Sequence, residues 1–263
     1  MQKTIEQPQP TLPFQQADGD LLEDIDELLQ LADGCTYLDV GCGEGSYTGA
    51  LQSRAGEWTA IDPQAAAVQT GKQRYPEIHW HQGDLSRPLP FADEIFDGSL
   101  CILGLHQPEG PFDLFREVAR TLRPGGSFVM LTATPDQLRN CWLNRYFPGT
   151  MADSVRHMPD LADISTGLSA AGMRLTTTRP VRITGRSEDH RLYSSEPPGA
   201  GELPESLPHV FASLPGQIDH SEWASGLEQL RADIRSGHFS SRKDGPVPGD
   251  YLLLRATKYT TVH

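Results

Sequence analysis

Three carboxylates stand where short strand-like runs, the first two apolar, give way to turns. Asp39 lies inside Tyr37-Leu38-Asp39-Val40 and precedes Gly41, Gly43 and Gly45, which recur at every second residue. Asp62 closes the run Trp58-Thr59-Ala60-Ile61, and Asp84 follows His79-Trp80-His81-Gln82-Gly83. Each run is short enough for a buried strand, and Ser46 to Arg54 after the glycines reads as a helix. Glycine adopts positive φ and carries no Cβ, so strand, glycine turn and helix together bring backbone N–H groups close to a ligand. A dinucleotide turn needs G-x-G-x-x-G, with the pyrophosphate on the helix N-terminus. Here the third glycine comes one residue early, Ser46 stands in its place, and Asp39 would meet a diphosphate with like charge. An acid at that point suits a ligand carrying an ammonium group. Taken alone, the turn is also compatible with a structural turn or a nucleotide-binding loop. Asp62, about 20 residues past the glycines, is placed to accept two ribose hydroxyls. As a strand-tip acid it is expected to make few core contacts.

Elements in alternation must position these residues. Asp18 to Asp33 carries Leu21, Leu22, Ile25, Leu28 and Leu29 at helical spacing, with Gly34 as its stop. Strands are expected near 36–40, 57–61, 77–82, 96–102 and 126–133, with helices at 46–54, 65–75 and 111–122 between them. That alternation predicts a parallel sheet covered on both faces, with the ligand at the carboxyl ends of the strands. Phe112, Phe115, Val118, Ala119 and Leu122 form an apolar stripe for the core. Residues 136–158 are rich in large side chains but less regular. A helix over 161–171 closed by Gly172, a strand over 173–184 and a last strand over 250–257 complete the sheet. Between the last two strands lie about 65 residues, 185–249, too many for a hairpin loop. Trp223, Leu227, Leu230 and Ile234 stand at helical spacing within it, so it is expected to be an inserted lid. Residues 1–17 show no periodicity and read as a mobile tail.

The order of these motifs resembles the class I S-adenosylmethionine (SAM) methyltransferases. Asp39-Val40-Gly41-Cys42-Gly43-Glu44-Gly45 looks like their motif I, Gly83-Asp84-Leu85 with Pro88-Leu89-Pro90-Phe91 like the adenine motif, Phe96 to His106 like motif IV, and Leu122-Arg123-Pro124-Gly125-Gly126 like the turn before the fifth strand. The likeness is close over about residues 20–135 and holds only in outline beyond. It implies an α/β fold: a Rossmann-like, seven-stranded, mostly parallel sheet with helices on both faces, the last strand antiparallel, here with a helical lid inserted. The methyltransferase domain would be 18–184 plus 250–263, and the lid 185–249. It implies SAM as cofactor: Asp39 and the backbone of Gly41, Gly43 and Gly45 on the methionyl part, Asp62 with Pro63 on the ribose, Asp84 and Leu85 on the adenine, and the Cys101 carbonyl near the donor's amino group. His106, at the end of the fourth strand, would be the general base or would shape the pocket. Trp142 and Tyr146, one helical turn apart, could wall the acceptor pocket or simply pack the lid, and Tyr193 could reach the acceptor or stand in a solvated loop.

Composition narrows the acceptor. The chain of 263 residues has a net charge of -13 and no basic run, which speaks against holding a phosphate backbone. Cys35, Cys42, Cys101 and Cys141 show no C-x-x-C spacing and read as reduced thiols of a cytoplasmic protein. No apolar run approaches the roughly 18 residues of a membrane helix, and the Pro-rich N-terminus has no leader-like core. His79 and His81 share a strand face without a third ligand, so they read as paired packing near a helix, and no metal is expected. The expected function is methyl transfer to a small molecule through O, N or S. The alternatives are an RNA or protein methyltransferase of the same fold, a non-catalytic SAM-binding module and, more distantly, a nucleotide-dependent dehydrogenase. The oligomeric state stays open.

Overall fold

A computed structural model describes residues 19–105, 111–181, 220–238 and 251–260. Helix α1 (Gly19–Leu29) precedes strand β1 (Thr36–Val40), followed by α2 (Ser46–Gln52), β2 (Glu57–Asp62), α3 (Ala65–Arg74), β3 (His79–Gln82) and β4 (Phe96–Ile102). Then come α4 (Phe112–Thr121), β5 (Leu122–Thr132), α5 (Pro135–Arg139), a 3-10 turn (Trp142–Arg145), α6 (Pro148–His157), α7 (Leu161–Ala170), β6 (Met173–Val181), α8 (His220–Ser236) and β7 (Tyr251–Lys258). The strands form one seven-stranded sheet in the order β3-β2-β1-β4-β5-β7-β6. Six strands share one direction, β1 to β5 as parallel neighbours, and β7 alone runs the other way, antiparallel to both β5 and β6. The order reverses between β1 and β4, and open α/β sheets take ligands at the carboxyl ends of the strands flanking such a reversal.

Alternation along each strand feeds two cores. Leu38, Val40 and Ile61 join Phe115, Val118, Ile164 and Leu168 on one face. Tyr37, Trp58, Ala60 and Leu100 join Ile25, Leu28, Leu51 and Val68 on the other. Successive side chains of a strand point to opposite faces, so short runs buried on both sides read as continuous apolar stretches. A third cluster stands apart at the carboxyl end of β5: Ala133, Leu138, Tyr146, Phe147 and Met151 pack against Trp223, Leu227 and Leu230 of α8.

Several local expectations are corrected. Helix α1 ends at Leu29, before Gly34, because Gln30 takes a left-handed conformation with φ 58°. The Tyr37 hydroxyl holds that turn, donating to the Gln30 carbonyl and accepting from the Ala32 N–H. Strand β5 begins at Leu122, not near 126, so the Pro-Gly-Gly run lies within it. Phe112 is 39 % exposed rather than part of the core stripe. Residues 136–158 are mostly helical. His79 and His81 are exposed. The His81 ring meets Phe91 edge-on, and its pKa is lowered by partial burial and by the charges of Lys72 on α3 and of its strand neighbour His79.

Gly45 is required by packing as well as by its turn. It has φ 75°, and a Cβ there would come within 2.3 Å of the Trp80 ring. Trp80 cannot swing away freely, since its indole N–H donates to the Tyr75 carbonyl at 3.0 Å. Gly45→Ala is therefore expected to cost about 2 kcal/mol or more, measured by urea unfolding. In a Trp80→Leu background most of the steric part should disappear. An equal loss in both backgrounds would remove the clash as its cause.

Candidate active site

Asp39 is the most enclosed acid at the carboxyl edge of the sheet, 2 % exposed on β1 beneath the glycine turn. Its Oδ2 accepts from the Thr48 hydroxyl, and its Oδ1 has no hydrogen-bond partner. Burial pushes its pKa up to about 7, offset in part by the Thr48 donation and reinforced by the nearby charge of Asp62. Because this pKa is raised, the folded protein holds the proton more tightly than the unfolded chain. Stability therefore falls as pH climbs from the ordinary carboxylate range to about 7. A buried acceptor without a donor is a cost that a cationic ligand group would relieve.

The glycine turn is tied to β2. Gly41 N–H donates to the Ile61 carbonyl at 2.8 Å, and Gly43 N–H to Asp62 Oδ2 at 2.8 Å. Asp62 is 5 % exposed, and its Oδ1 accepts from Gln64 N–H at 2.8 Å. Burial raises its pKa, against the lowering effect of those two N–H groups. The sequence reading of Asp62 as an acid with few contacts is thus corrected, since its carboxylate joins the glycine turn to the start of α3. Gly41, Gly43 and Gly45 all have positive φ. A Cβ on Gly43 would meet nothing within 4 Å, whereas one on Gly41 would touch Leu85 and Gly104. The turn thus faces open space at Gly43 and is backed by the ends of β3 and β4 at Gly41.

The remaining residues fall around this point. Leu85 is buried against the turn and Pro63 is exposed. Asp84 is exposed, and its carboxyl is held below the usual range by the hydroxyl and N–H of Ser86. Cys101 is wholly buried, and burial beside Asp39 pushes its thiol up to about 12. The Cys42 thiol is likewise raised by burial and by the charges of Asp39 and Asp62. Neither is a nucleophile at neutral pH. Leu103, just past β4, has φ 55°, a strained value for a non-glycine residue at the edge where the strands end.

Tyr146 is buried rather than lining an open wall. Its hydroxyl donates to Asp233 of α8 at 2.9 Å, and burial plus that carboxylate raise its pKa to about 12. Trp142 belongs to the 3-10 turn, but its side chain lies outside the described residues, as do His106 and Tyr193 altogether. Three contributors had no signal in the sequence. Thr48 meets Asp39 from α2. Asp233 pairs with Arg145 at 3.0 Å as well as with Tyr146. Glu222 receives the Gly149 and Thr150 N–H groups and the Thr150 hydroxyl, capping α6 from another helix.

A cavity of about 310 Å³ lies elsewhere, lined by Thr36, Glu57, His79 and Phe96, the first residues of four strands. It is at the opposite edge of the sheet from the glycine turn, away from where parallel sheets bind ligands. Among the described residues no group of three or more His, Cys, Asp or Glu could hold a metal ion, and no helix is long and apolar enough to cross a membrane.

Comparison with known proteins bears on this geometry. Residues 38–130 match the family model described as a methyltransferase domain. Demethylmenaquinone methyltransferase of Bacillus licheniformis is 33 % identical over 179 residues, covering 59 % of this chain and 77 % of the relative. The chain belongs to the class I SAM-dependent methyltransferases. 2-Phytyl-1,4-naphtoquinone methyltransferase of Thermosynechococcus vestitus is 33 % identical over 130 residues, covering 45 % of this chain and 57 % of the relative. The bifunctional biotin biosynthesis protein BioHC of Teredinibacter turnerae is 32 % identical over 154 residues, 52 % of this chain and 26 % of its own length. This methyltransferase thus spans between about a quarter and three-quarters of the relatives named here. An Anabaena variabilis structure described as a methyltransferase of an antibiotic biosynthesis pathway shares the fold, with a TM-score of 0.71 at 22 % identity over 92 % of this chain and 97 % of that one.

Proposed function

We propose that this methyltransferase binds SAM at the glycine turn and transfers its methyl group to a small-molecule acceptor held between the carboxyl ends of β4 and β5 and a cap. The observation that carries the reading is the partnerless Oδ1 of Asp39, a buried carboxyl acceptor beneath a glycine turn that faces open space at Gly43. When bound, SAM supplies a methyl group on a positively charged sulfur, which leaves as a neutral thioether when the acceptor's lone pair forms the new bond to carbon. The chain's own residues hold and orient. Asp39 receives the ammonium group and Asp62 the ribose hydroxyls, while Asp84 and Leu85 flank the adenine. Pro63 borders the ribose, and the Cys101 carbonyl faces the amino group. Holding the two reactants in line is worth up to roughly 7–11 kcal/mol of the barrier, so no strongly basic side chain is required unless the acceptor must lose a proton. Domain organisation follows the same reading: 18–184 with 250–263 form the catalytic domain and 185–249 the cap.

Two facts support a small acceptor. A net charge of -13 opposes docking of a polyanion. Relatives include methyltransferases named for demethylmenaquinone, for 2-phytyl-1,4-naphtoquinone and, at 36 % identity over 109 residues, for fatty acids in Mycolicibacterium smegmatis. Isothermal calorimetry is expected to show binding of SAM and of S-adenosylhomocysteine, with no heat from NAD. Binding of NAD without SAM would overturn the reading. Incubation with methyl-labelled SAM and a metabolite extract, read by product mass spectrometry, is expected to label compounds of low mass. Label found only in RNA or protein would replace the small acceptor, and SAM binding with no labelled product would favour a non-catalytic module.

A further inference from the structure

Thr48 is the third residue of α2 and is wholly buried. A threonine hydroxyl inside a helix commonly returns its hydrogen to a backbone carbonyl one turn earlier. This one donates instead to Asp39 Oδ2, nine residues back on β1. A hydroxyl has a single hydrogen, and its use on Oδ2 leaves Oδ1 as the free acceptor. The other groups facing Asp39 offer the carboxylate no positive charge. Asp62 approaches from the end of β2, Cys42 from the glycine turn and Cys101 from β4. Asp62 disfavours a second negative charge, and both thiols are held neutral by burial. Thr48 is therefore the one hydrogen-bond donor to this carboxyl among the described residues. A donor to the charged form of a carboxylic acid favours that form.

We propose that Thr48 is the positioning residue for the cofactor's amino-acid end: by donating to Oδ2 it favours the ionised form of Asp39 and leaves Oδ1 for the ammonium group. This rests on the SAM reading of the glycine turn. Its consequence is pH-dependent cofactor affinity. Protonation of Asp39 removes the ion pair, so affinity weakens on the acid side of the Asp39 midpoint. The burial that makes the site demanding also brings that midpoint to about 7. Loss of the Thr48 donation carries it higher still, so that the uncharged acid dominates at neutral pH.

The experiment has two arms. Carbon-13 NMR of the ligand-free protein follows the Asp39 carboxyl, assigned by the loss of its signal in Asp39→Asn. The parent midpoint is expected near 7, moved up by about one to two pH units in Thr48→Val and restored in Thr48→Ser. Calorimetry with S-adenosylhomocysteine then measures affinity from about pH 5.5 to 9. The ligand's own amine limits the alkaline side equally in every variant, so the comparison reads the acid limb. That limb is expected to move with the NMR midpoint, making Thr48→Val roughly 10-fold weaker than the parent near neutrality and close to it at high pH. If the valine variant does not fold, Thr48→Cys, a weaker donor, carries the same test with a smaller shift. An unmoved midpoint overturns the proposal. A moved midpoint that affinity ignores also overturns it, by removing Asp39 from the ammonium site. A parent that binds no S-adenosylhomocysteine at any pH overturns the cofactor reading instead.

Discussion

Asp62→Ala is expected to bind SAM about 100-fold or more weakly than the parent and also to melt several degrees lower. The first effect follows from removing a carboxylate that accepts two ribose hydroxyls, since hydrogen bonds to a charged group are worth about 1.5–3 kcal/mol each. The second follows from what the structure adds. Asp62 Oδ2 accepts from Gly43 N–H and Oδ1 from Gln64 N–H, each at 2.8 Å, with the residue 5 % exposed. Alanine leaves both N–H groups without their acceptor, and the glycine turn loses one of its ties to β2. Water can reach part of this edge, so a total near the low end, about 2 kcal/mol, is expected. For a chain of this size that is roughly 4–8 °C in melting temperature. Asp62→Asn keeps an acceptor for one of the two N–H groups and should fall between. An unchanged dissociation constant removes Asp62 from the cofactor site. An unchanged melting temperature shows that the turn holds without its carboxylate anchor.

What the sequence reveals and conceals here has a physical pattern. β1 and β2 are short apolar runs ending before a glycine or in an acid, and being buried on both faces they need no other signal; the same holds for the buried run of β4. The glycine turn is legible because positive φ at Gly41, Gly43 and Gly45 restricts which residue can stand there. The end of α1 is not legible, because Gln30 is turned by a hydroxyl from Tyr37 on the next strand rather than by a local glycine. Thr48 reads as an ordinary helical residue until β1 is placed beside it. Glu222 looks like a solvated acid in the first turn of α8, yet its partners Gly149 and Thr150 lie more than 70 residues earlier. Period and propensity report local preference, whereas these contacts depend on which elements the sheet brings together.

Gly226→Val is expected to lower methyl transfer by about 100-fold or more while leaving SAM binding within about threefold. Gly226 lies on α8 where it crosses the segment between β5 and α6. A Cβ there would stand 2.3 Å from the Tyr146 carbonyl oxygen and 2.6 Å from the Phe147 ring. The carbonyl belongs to the backbone and cannot rotate away as a side chain would, so α8 itself must move. Its seat is specific. Trp223 stacks on Phe147 at 4.8 Å, Leu230 is wholly buried, Glu222 caps α6, and Asp233 holds both Tyr146 and Arg145. The apolar part of this seat packs in a cluster of its own, distinct from the two cores that flank the sheet. Displacing α8 should therefore leave the glycine turn, Asp39 and Asp62 in place, and with them the cofactor. If the cap excludes water and fixes the acceptor, turnover should fall with it. A wedge tests this better than excision of 187–247, which would strip the cover from Leu138, Tyr146, Phe147 and Met151 and invite aggregation. Limited proteolysis reports whether α8 has been released. Full turnover by a variant with α8 released would show that the helix is not a lid. Loss of SAM binding together with turnover would tie α8 to the stability of the catalytic domain rather than to the acceptor.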